Sequence, residues 1–310
     1  MVAITEAIAI DHRANRMGCF WMVFSMAAFA IEDVFVKAAF EKLPVGQILI
    51  FFGSGGALVF ACLAMLKRER LLSADVISRP MLVRAGFEVL GRLFYVLAIT
   101  LSPLSVATVI LQATPIVVVA GAAMLFGEKV GWRRWAAIVV GLAGVIAIIR
   151  PGTESFSTLS ILAVVGMLGF AGRDLASRAA PASLGTSVLG LYGFLAVIAA
   201  GATFLLWESE VFVRPDLETS LYLLGAILSG VAAYSALMKA MRTGEVSAVT
   251  PFRYTRLLFG LFFGVFLFGE QLSFTMFMGC GLIVVSGVFI LLGGQGKLKN
   301  KFSVALSREH

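Results

Sequence analysis

Ten stretches of about 20 mostly apolar residues divide this chain, and they constrain its fold more than any other feature. An α-helix needs about 20 apolar residues to cross the ~30 Å hydrocarbon core of a bilayer. Charged residues are only 14% of the 310, whereas soluble domains carry about 25%. We therefore expect an all-α integral membrane protein, multi-pass in a cell membrane. The ten predicted spans are residues 17–37, 45–66, 82–101, 104–126, 132–149, 158–178, 186–206, 219–240, 246–268 and 273–293.

Positive charge between the spans supports ten helices with both termini in the cytoplasm. Cytoplasmic segments of membrane proteins are enriched in Lys and Arg. With the N-terminus inside, the inner segments hold 17 of the 25 Lys and Arg residues, Arg84 among them. The outer segments hold only Lys37, Lys42, Arg150 and Arg214. Residues 1–16 and 294–310 are then cytoplasmic tails, with no cleaved signal peptide.

An internal repeat sets the expected architecture. Residues 125–148 (LFGEKVGWRRWAAIVVGLAGVIAI) parallel residues 267–290 (LFGEQLSFTMFMGCGLIVVSGVFI), and residues 26–37 parallel residues 167–178. Each half then contains five helices, over residues 17–150 and 151–293. An odd number of spans per repeat inverts the second copy in the membrane, which predicts a substrate site near the midplane between the halves.

The paired helix–FGE–turn–helix blocks, ending at Gly127–Glu128 and Gly269–Glu270, resemble the EamA-type branch of the drug/metabolite transporter superfamily. Thr114–Pro115 is similar to the mid-helix proline of that family, whereas the second copy has Leu257 at the matching position and its proline earlier, at Pro251. Within the branch, the chain is most similar to bacterial amino-acid and metabolite exporters. The resemblance implies a central cavity lined by spans 1–4 and 6–9.

Eight charged residues are predicted inside the spans, four acidic and four basic, so that the set can be neutral. Such residues face the bundle interior or water because unpaired charge is costly in a bilayer. Glu88 and Arg92 stand one helical turn apart, which allows an intrahelical pair that binds nothing as well as a substrate site. The repeat relates a second group, which we predict to serve in gating or coupling, with capping by Lys37 and Arg178 as the alternative. Its members are Glu32, Asp33, Arg173 and Asp174.

Arg253 and Arg256 are the most informative members of the set. Counted from Val246 at 1.5 Å per residue, Arg256 lies about 15 Å into the membrane, too deep to reach the interface easily. The first repeat has Leu111 and Thr114 at the equivalent positions. Because a guanidinium binds carboxylate or phosphate in two places, these arginines are candidates for substrate binding. A structural ion pair with Glu88 or Glu32 is the alternative.

Neutral polar residues at the same level complete the predicted substrate site. They can hydrogen-bond a solute, although such residues also bridge helices. Glycines at Gly166, Gly169, Gly172 and the Gly260–Gly264 pair indicate close helix packing. The polar candidates are Tyr95, Gln112, Thr114, Tyr234, Ser235 and Tyr254.

The sequence excludes several classes of chemistry. Its histidines, His12 and His310, lie in the tails, and Cys19, Cys62 and Cys280 lie in apolar runs without metal-ligand spacing. No cofactor or metal site is predicted, and no phosphate-binding GxxxxGK[ST] is present. The expected partners are a small-molecule substrate and the bilayer, without nucleic acid, and both monomer and homodimer stay open.

We therefore expect a secondary transporter, not an enzyme, that exports small zwitterionic metabolites such as amino acids by alternating access. The fixed arginines suit a carboxylate, and Glu88 or Asp33 suits an ammonium group. The alternative is export or exchange of other metabolites or drugs, for example nucleoside-like or cationic compounds. An intramembrane enzyme or a scaffold is a more remote alternative.

Overall fold

The computed structural model describes residues 2–40, 42–101, 110–149, 160–208, 211–268, 274, 278–286 and 288–289, and these residues form helices and short connections. The helices are α1 (Val2–Phe40), α2 (Val45–Leu66), α3 (Arg79–Leu101), α4 (Thr114–Phe126), α5 (Trp132–Ile149), α6 (Ser160–Ala179), α7 (Thr186–Glu208), α8 (Leu217–Arg242), α9 (Val246–Val249) and α10 (Thr255–Phe268). Short 3₁₀ segments cover Ala74–Ile77 and Thr250–Tyr254. Residues 278–286 are also helical.

Four described helices are long and apolar enough to cross a membrane by length and composition. They include Arg13–Phe40, Val45–Leu66, Thr186–Trp207 and Leu217–Arg242. Helices α3 and α6 are 23 and 20 residues long, so their deep charges, not their length, distinguish them from these four. Ten spans and the cytoplasmic position of both termini therefore stay predictions.

Helix α1 differs from the predicted first span because it begins at Val2, fifteen residues before Met17. The polar residues that were expected to form a tail extend the same helix. The predicted C-terminal tail and the second FGE signature, Gly269–Glu270, lie outside the described residues.

Helix packing follows the internal repeat. The repeat equates α1, α2 and α3 with α6, α7 and α8. Helix α1 packs along α8, and α3 packs along α6, two contacts that exchange with each other under this equivalence. Helix α2 packs along α7, a contact that maps onto itself. The described helices are therefore arranged with an approximate two-fold relation between the halves.

Glycines permit the close crossing of α3 and α6. A Cβ on Gly169 would lie 2.5 Å from the backbone of Gly91, and one on Gly166 would lie 2.8 Å from the backbone nitrogen of Tyr95. The predicted packing role is therefore confirmed for these positions. At Gly260 a Cβ would meet nothing within 4 Å among the described residues, so the packing role of the Gly260–Gly264 pair stays a prediction.

We expect Gly169→Ala to lower the free energy of unfolding by about 1–3 kcal/mol, the usual range for an overpacked core. The clash is with backbone atoms of Gly91, which cannot rotate away. Gly86→Ala is the matched control, because a Cβ at Gly86 of α3 would meet no described residue within 4 Å and alanine favours a helix. Thermal unfolding in detergent measures both variants. Equal midpoints for the two would contradict a tight crossing.

The fourth and ninth predicted spans are interrupted near proline. In the first repeat the helix breaks at a turn before α4, in which Pro115 occupies the first turn. In the second, α9 passes into the 3₁₀ segment Thr250–Tyr254, which contains Pro251, before α10 begins. Proline lacks the N–H that an uninterrupted helix requires. Arg253 therefore lies in the interruption, and Arg256 follows it in the first turn of α10.

Candidate functional site

The charged residues of the predicted site meet in a buried network between α3, α6, α8 and the ninth span. Tyr234 Oη donates to Glu88 Oε2 over 2.6 Å, and Arg173 Nη1 lies 3.3 Å from Glu88 Oε1. Arg173 Nε donates to Asp174 Oδ1 over 2.9 Å, and Arg253 Nη1 binds the other oxygen, Oδ2, of Asp174. The Glu88 and Asp174 side chains are fully buried. Glu88 and Asp174 thus bind Arg173 and Arg253 within one buried network.

Arg84 belongs to this network, although the sequence assigned it to a cytoplasmic segment. Helix α3 begins at Arg79, so Arg84 lies within it and is fully buried. Its Nε donates to Ser177 Oγ over 2.9 Å, and its Nη2 donates to Tyr234 Oη over 2.8 Å. Arginine cannot lose its proton in a protein, so the deep set holds five arginines against four carboxylates. The predicted balance of four and four is wrong by one positive charge.

A second ion pair lies at a more open position. Arg256 binds Asp33 in two places, with Nε to Oδ2 at 3.0 Å and Nη2 to Oδ1 at 2.6 Å. The Asp33 side chain is 54% exposed and that of Arg256 is 33% exposed. Phe29 lies under the guanidinium, 5.1 Å from ring centroid to Cζ. The repeat-related acids Asp33 and Asp174 therefore each bind one arginine of the ninth span.

These partners replace the ones that spacing predicted. Between described residues no ion pair joins Glu88 to Arg92, because Glu88 faces α6 and α8 instead. Asp174 pairs with arginines other than Arg178, and Arg178 Nη1 donates to the carbonyl oxygen of Met241. The side-chain partners come from distant parts of the chain, whereas residue spacing along one helix predicts only partners on that helix.

The neutral polar candidates lie in different parts of the bundle. Tyr234 lies within the network, and Ser235 beside it is half-buried. Gln112 and Thr114 are buried at the start of α4, where the Thr114 hydroxyl donates to the carbonyl oxygen of Leu111.

Tyr254 lies apart from the charges, because its hydroxyl donates to the carbonyl oxygen of Ile138 over 3.3 Å and its ring packs against Ile283. Tyr95 stacks edge-on with Phe170, 5.9 Å between centroids.

The end of the bundle that contains Asn15 is sealed by polar contacts between the two halves; we call it the Asn15 end. Asn15 Oδ1 accepts from the backbone N–H of Glu245 over 2.7 Å. Both carboxylate oxygens of Glu128 accept backbone N–H groups of α9, from Val246 and Ser247, at 3.0 Å each. Arg134 donates to Ser247 Oγ over 2.5 Å and pairs with Glu245.

The Gly–Glu signature therefore has a structural explanation in the first copy. Gly127 ends α4 in the left-handed conformation, with φ +64°, a region that favours glycine. The turn presents Glu128 to the first N–H groups of α9, which have no partner within their own helix.

We expect Glu128→Ala to lower the free energy of unfolding by about 1–3 kcal/mol, the cost of leaving buried donors unsatisfied. Val246 and Ser247 are 1% and 0% exposed, so water does not replace the carboxylate easily. Glu128→Gln keeps one acceptor oxygen and is expected to lose less stability. Chemical or thermal unfolding in detergent gives the order wild type, Gln, Ala; any other order would contradict the capping role.

The opposite end, which we call the Asp216 end, is held by exposed contacts. Lys42 Nζ lies 2.6 Å from Glu218 and 3.3 Å from Asp216. Hydrogen bonds from Thr219, followed by Lys42, lower the pKa of Asp216 to about 2. Asp216 thus stays ionised as the N-cap of α8, accepting from the Thr219 N–H over 2.8 Å.

An apolar groove of about 670 Å³ between α3 and α7 contains none of the charged candidates. Its walls include Ala85, Val89, Leu93, Tyr192 and Leu195. The charged members of α3, which are Arg84, Glu88 and Arg92, are not among the lining residues, and α7 carries no member of the charged set, so the groove is separate from the candidate site.

Helices in two related halves, with opposite charges buried between them, are the arrangement expected of a transporter built from inverted repeats. The sequence profile of the EamA-like transporter family matches residues 16–150 and again residues 158–292. The chain belongs to the EamA-like transporter family, as the resemblance predicted, and is a transporter, not an enzyme. The two matches begin 142 residues apart, which confirms the internal repeat.

Curated bacterial relatives span nearly the whole chain at low identity. The chain is 22% identical over 287 residues to an S-adenosylmethionine uptake transporter of Rickettsia prowazekii, covering 92% of this chain and 95% of that protein. It is 24% identical over 294 residues to a riboflavin transporter of Rhizobium johnstonii (92% and 94%). A pseudopaline exporter of Pseudomonas aeruginosa is 27% identical over 276 residues (87% and 94%).

A solved crystal structure has the same fold. It superposes with a TM-score of 0.74 at 19% sequence identity, covering 91% of this chain and 98% of that chain. The family and its bacterial members place the protein in the cell membrane, where it takes a small-molecule substrate, and indicate the inner membrane.

Proposed function

We propose that the protein is a secondary transporter of small zwitterionic metabolites, amino acids or their derivatives, with export as the direction. It has ten membrane-spanning helices, both termini in the cytoplasm, and alternating access through a cavity between its repeats. The observation that carries the proposal is the pair of repeat-related acids, Asp33 and Asp174, each bound to an arginine of one interrupted span. Interrupted helices between repeats are a common setting for substrate sites in transporters.

Charge balance supports a substrate with a carboxylate. The deep set has one more arginine than carboxylates, and buried charge is tolerated only when it is neutralised or hydrated. The carboxylate of a bound solute can pair with the surplus arginine, and the carboxylates of the set suit an ammonium group of the same solute. A zwitterion carries both groups but leaves the net charge of the set unchanged, so the zwitterion proposal rests on the presence of both signs in the set and not on its net charge.

Exposure supports a pathway that opens toward the Asp216 end. The Asp33 side chain is 54% exposed, whereas that of Asp174 is 0% exposed. Asp174 also lies toward the Asn15 end, which is closed by Asn15, Glu128 and Arg134. The structure then corresponds to a state closed at the Asn15 end, and transport requires that these contacts break.

A second candidate is uptake of a larger zwitterion that carries a nucleoside, such as S-adenosylmethionine. The observation in its favour is the similarity to S-adenosylmethionine uptake transporters over 92% of the chain. The same charged groups serve either substrate, so the two candidates differ in the cavity size that the substrate requires and in the direction of transport.

Flux into liposomes tests both candidates. Purified protein is reconstituted, and counterflow of alanine, lysine, S-adenosylmethionine and riboflavin is measured from each side, with and without an imposed pH gradient. We expect flux of at least one zwitterion, and its loss in Arg256→Gln. Flux of riboflavin alone, or unchanged zwitterion flux in the variant, would contradict the proposal. Arg79→Gln, at an exposed position, is the matched control for the substitution.

A further inference from the structure

Four charged side chains have a buried polar atom without a hydrogen-bond partner in the described part of the chain: Glu32, Glu69, Arg84 and Arg92. Other atoms of Arg84 bind Ser177 and Tyr234, and Glu69 accepts from Ser187, so Glu32 and Arg92 are the two that stand out. Glu32 Oε2 and Arg92 Nε are buried and have no hydrogen-bond partner in the described part of the chain. No ion pair between described residues includes either side chain, whereas Asp33, Glu88 and Asp174 are all bound to arginine. The arginines that the sequence favoured for substrate, Arg253 and Arg256, are thus already occupied.

Glu32 lies in α1 against α8. It is 6% exposed, and a Cβ on Gly230 would be 3.2 Å from its Oε2 atom. The absence of a side chain at Gly230 therefore lets α8 approach this oxygen closely, with the Phe52 ring 2.6 Å from the same Cβ position. Glu32 directly precedes Asp33, whose carboxylate is held by Arg256.

Arg92 lies in α3, one turn beyond Glu88. Its guanidinium lies over the Phe170 ring at 5.8 Å from the centroid. Glu88 of the same helix binds Tyr234 of α8, and Tyr234 stands one turn beyond Gly230, which packs against Glu32. An acid and a base with unsatisfied atoms therefore face the same region, beside the Glu88–Arg173 pair.

Physical chemistry restricts what such a pair can do. A buried donor or acceptor of a charged group without a partner costs more than a neutral one, and intramembrane charges face a partner or a water-filled space. A zwitterion offers an ammonium donor and a carboxylate acceptor a few ångströms apart. It would satisfy Glu32 Oε2 and Arg92 Nε and leave the Arg253–Asp174 and Arg256–Asp33 pairs unbroken.

We propose that Glu32 binds the ammonium group of the substrate and that Arg92 binds its carboxylate. Arg253 and Arg256 then hold the closed state through Asp174 and Asp33 and are not the primary substrate contacts. This assignment rests on the proposed function, because it requires that the solute is a zwitterion.

Substrates that differ by one charge test the assignment. The probes are methionine and S-adenosylmethionine, with 3-(methylthio)propylamine and decarboxylated S-adenosylmethionine as analogues that lack only the carboxylate. We expect Arg92→Gln to raise the KM of the transported zwitterion roughly 10- to 100-fold, the range for hydrogen bonds to charged groups. The KM of its amine analogue should stay within about twofold. Glu32→Gln should raise both values by similar factors.

The controls separate this assignment from the proposed function. Arg79→Gln and Glu218→Gln repeat the substitutions at exposed positions and should leave both KM values unchanged. Zwitterion flux with equal effects of Arg92→Gln on both analogues would overturn the assignment alone. Absence of flux for all four probes in wild type would overturn the proposed function, and the assignment with it. If Arg92→Gln aggregates on size exclusion, Arg92→Lys, which keeps the charge but not the planar fork, should show a smaller selective loss.

Discussion

Asp174→Asn is expected to lower the free energy of unfolding by about 3–5 kcal/mol, because it leaves the buried Arg253 without a carboxylate and Arg173 with Glu88 alone. The Asp174 side chain is fully buried and binds both Arg173 and Arg253. Asparagine keeps the shape but removes the charge and turns one acceptor into a donor. Unfolding by SDS in mixed micelles gives the difference, and the same preparation reports flux in liposomes.

The repeat supplies the matched control for this prediction. Asp33→Asn is the equivalent substitution in the other half, but the Asp33 side chain is 54% exposed, and exposed pairs contribute only about 0–1 kcal/mol. Adding Arg253→Gln to Asp174→Asn should recover part of the lost stability, since it removes one unpaired charge. Equal losses of stability for Asp174→Asn and Asp33→Asn would contradict a role for the difference in burial. If the double variant is no more stable than Asp174→Asn alone, the main cost lies on Arg173.

The repeat and the family could be predicted from sequence because both depend on patterns along the chain. Helix ends agree closely where apolar runs end at charges, as in α2 and α5. The equivalence of Asp33 and Asp174 also follows from the repeat alone. A prediction fails where a polar segment continues a helix, as in residues 2–16, since helical propensity does not stop at the membrane boundary.

The partners within the site could not be predicted, since they depend on how helices distant in sequence pack. Glu88 finds Tyr234, 146 positions away, and Arg173, 85 positions away, although Arg92 is only one turn from it. The alternation of positive charge assigns Arg84 to a cytoplasmic segment, although the predicted span 82–101 contains it, and the side chain is fully buried. One sequence signal was available: an arginine five residues into a helix with apolar neighbours already lies about 7 Å along it.

The interrupted ninth span combines a break that the sequence predicts with contacts that only the fold shows. Pro251 marks the interruption in the sequence, but only the fold shows that Glu128 caps the first part and Asp174 holds the second. A short 3₁₀ segment within a span often marks a hinge. If the span bends there, one movement changes the contacts of α9 at the Asn15 end and the pairing of Arg253.

Cross-linking the Asn15 end is therefore expected to reduce transport to background. With Cys19, Cys62 and Cys280 replaced by serine, Asn15→Cys and Glu245→Cys place one thiol on each of the two segments joined by the 2.7 Å hydrogen bond from the Glu245 backbone nitrogen to Asn15 Oδ1. A short bifunctional thiosulfonate then ties α1 to the start of α9. Alternating access requires each end to open in turn, so a closed Asn15 end stops the cycle, and reduction of the cross-link should restore the flux.

The controls are the single variants Asn15→Cys and Glu245→Cys, treated with the same reagent. Each loses one of the two native side chains that the double variant lacks, and neither can form the bridge. Mass spectrometry of the digested protein gives the cross-linked fraction, against which residual flux is compared. Flux should fall in proportion to that fraction, because each tied molecule is fully inactive. Full cross-linking with flux equal to that of the single variants would mean that this end does not open. The contacts of Glu128, Arg134 and Asn15 would then be permanent features of the bundle, and the solute would have to leave by a route that keeps α1 and α9 together.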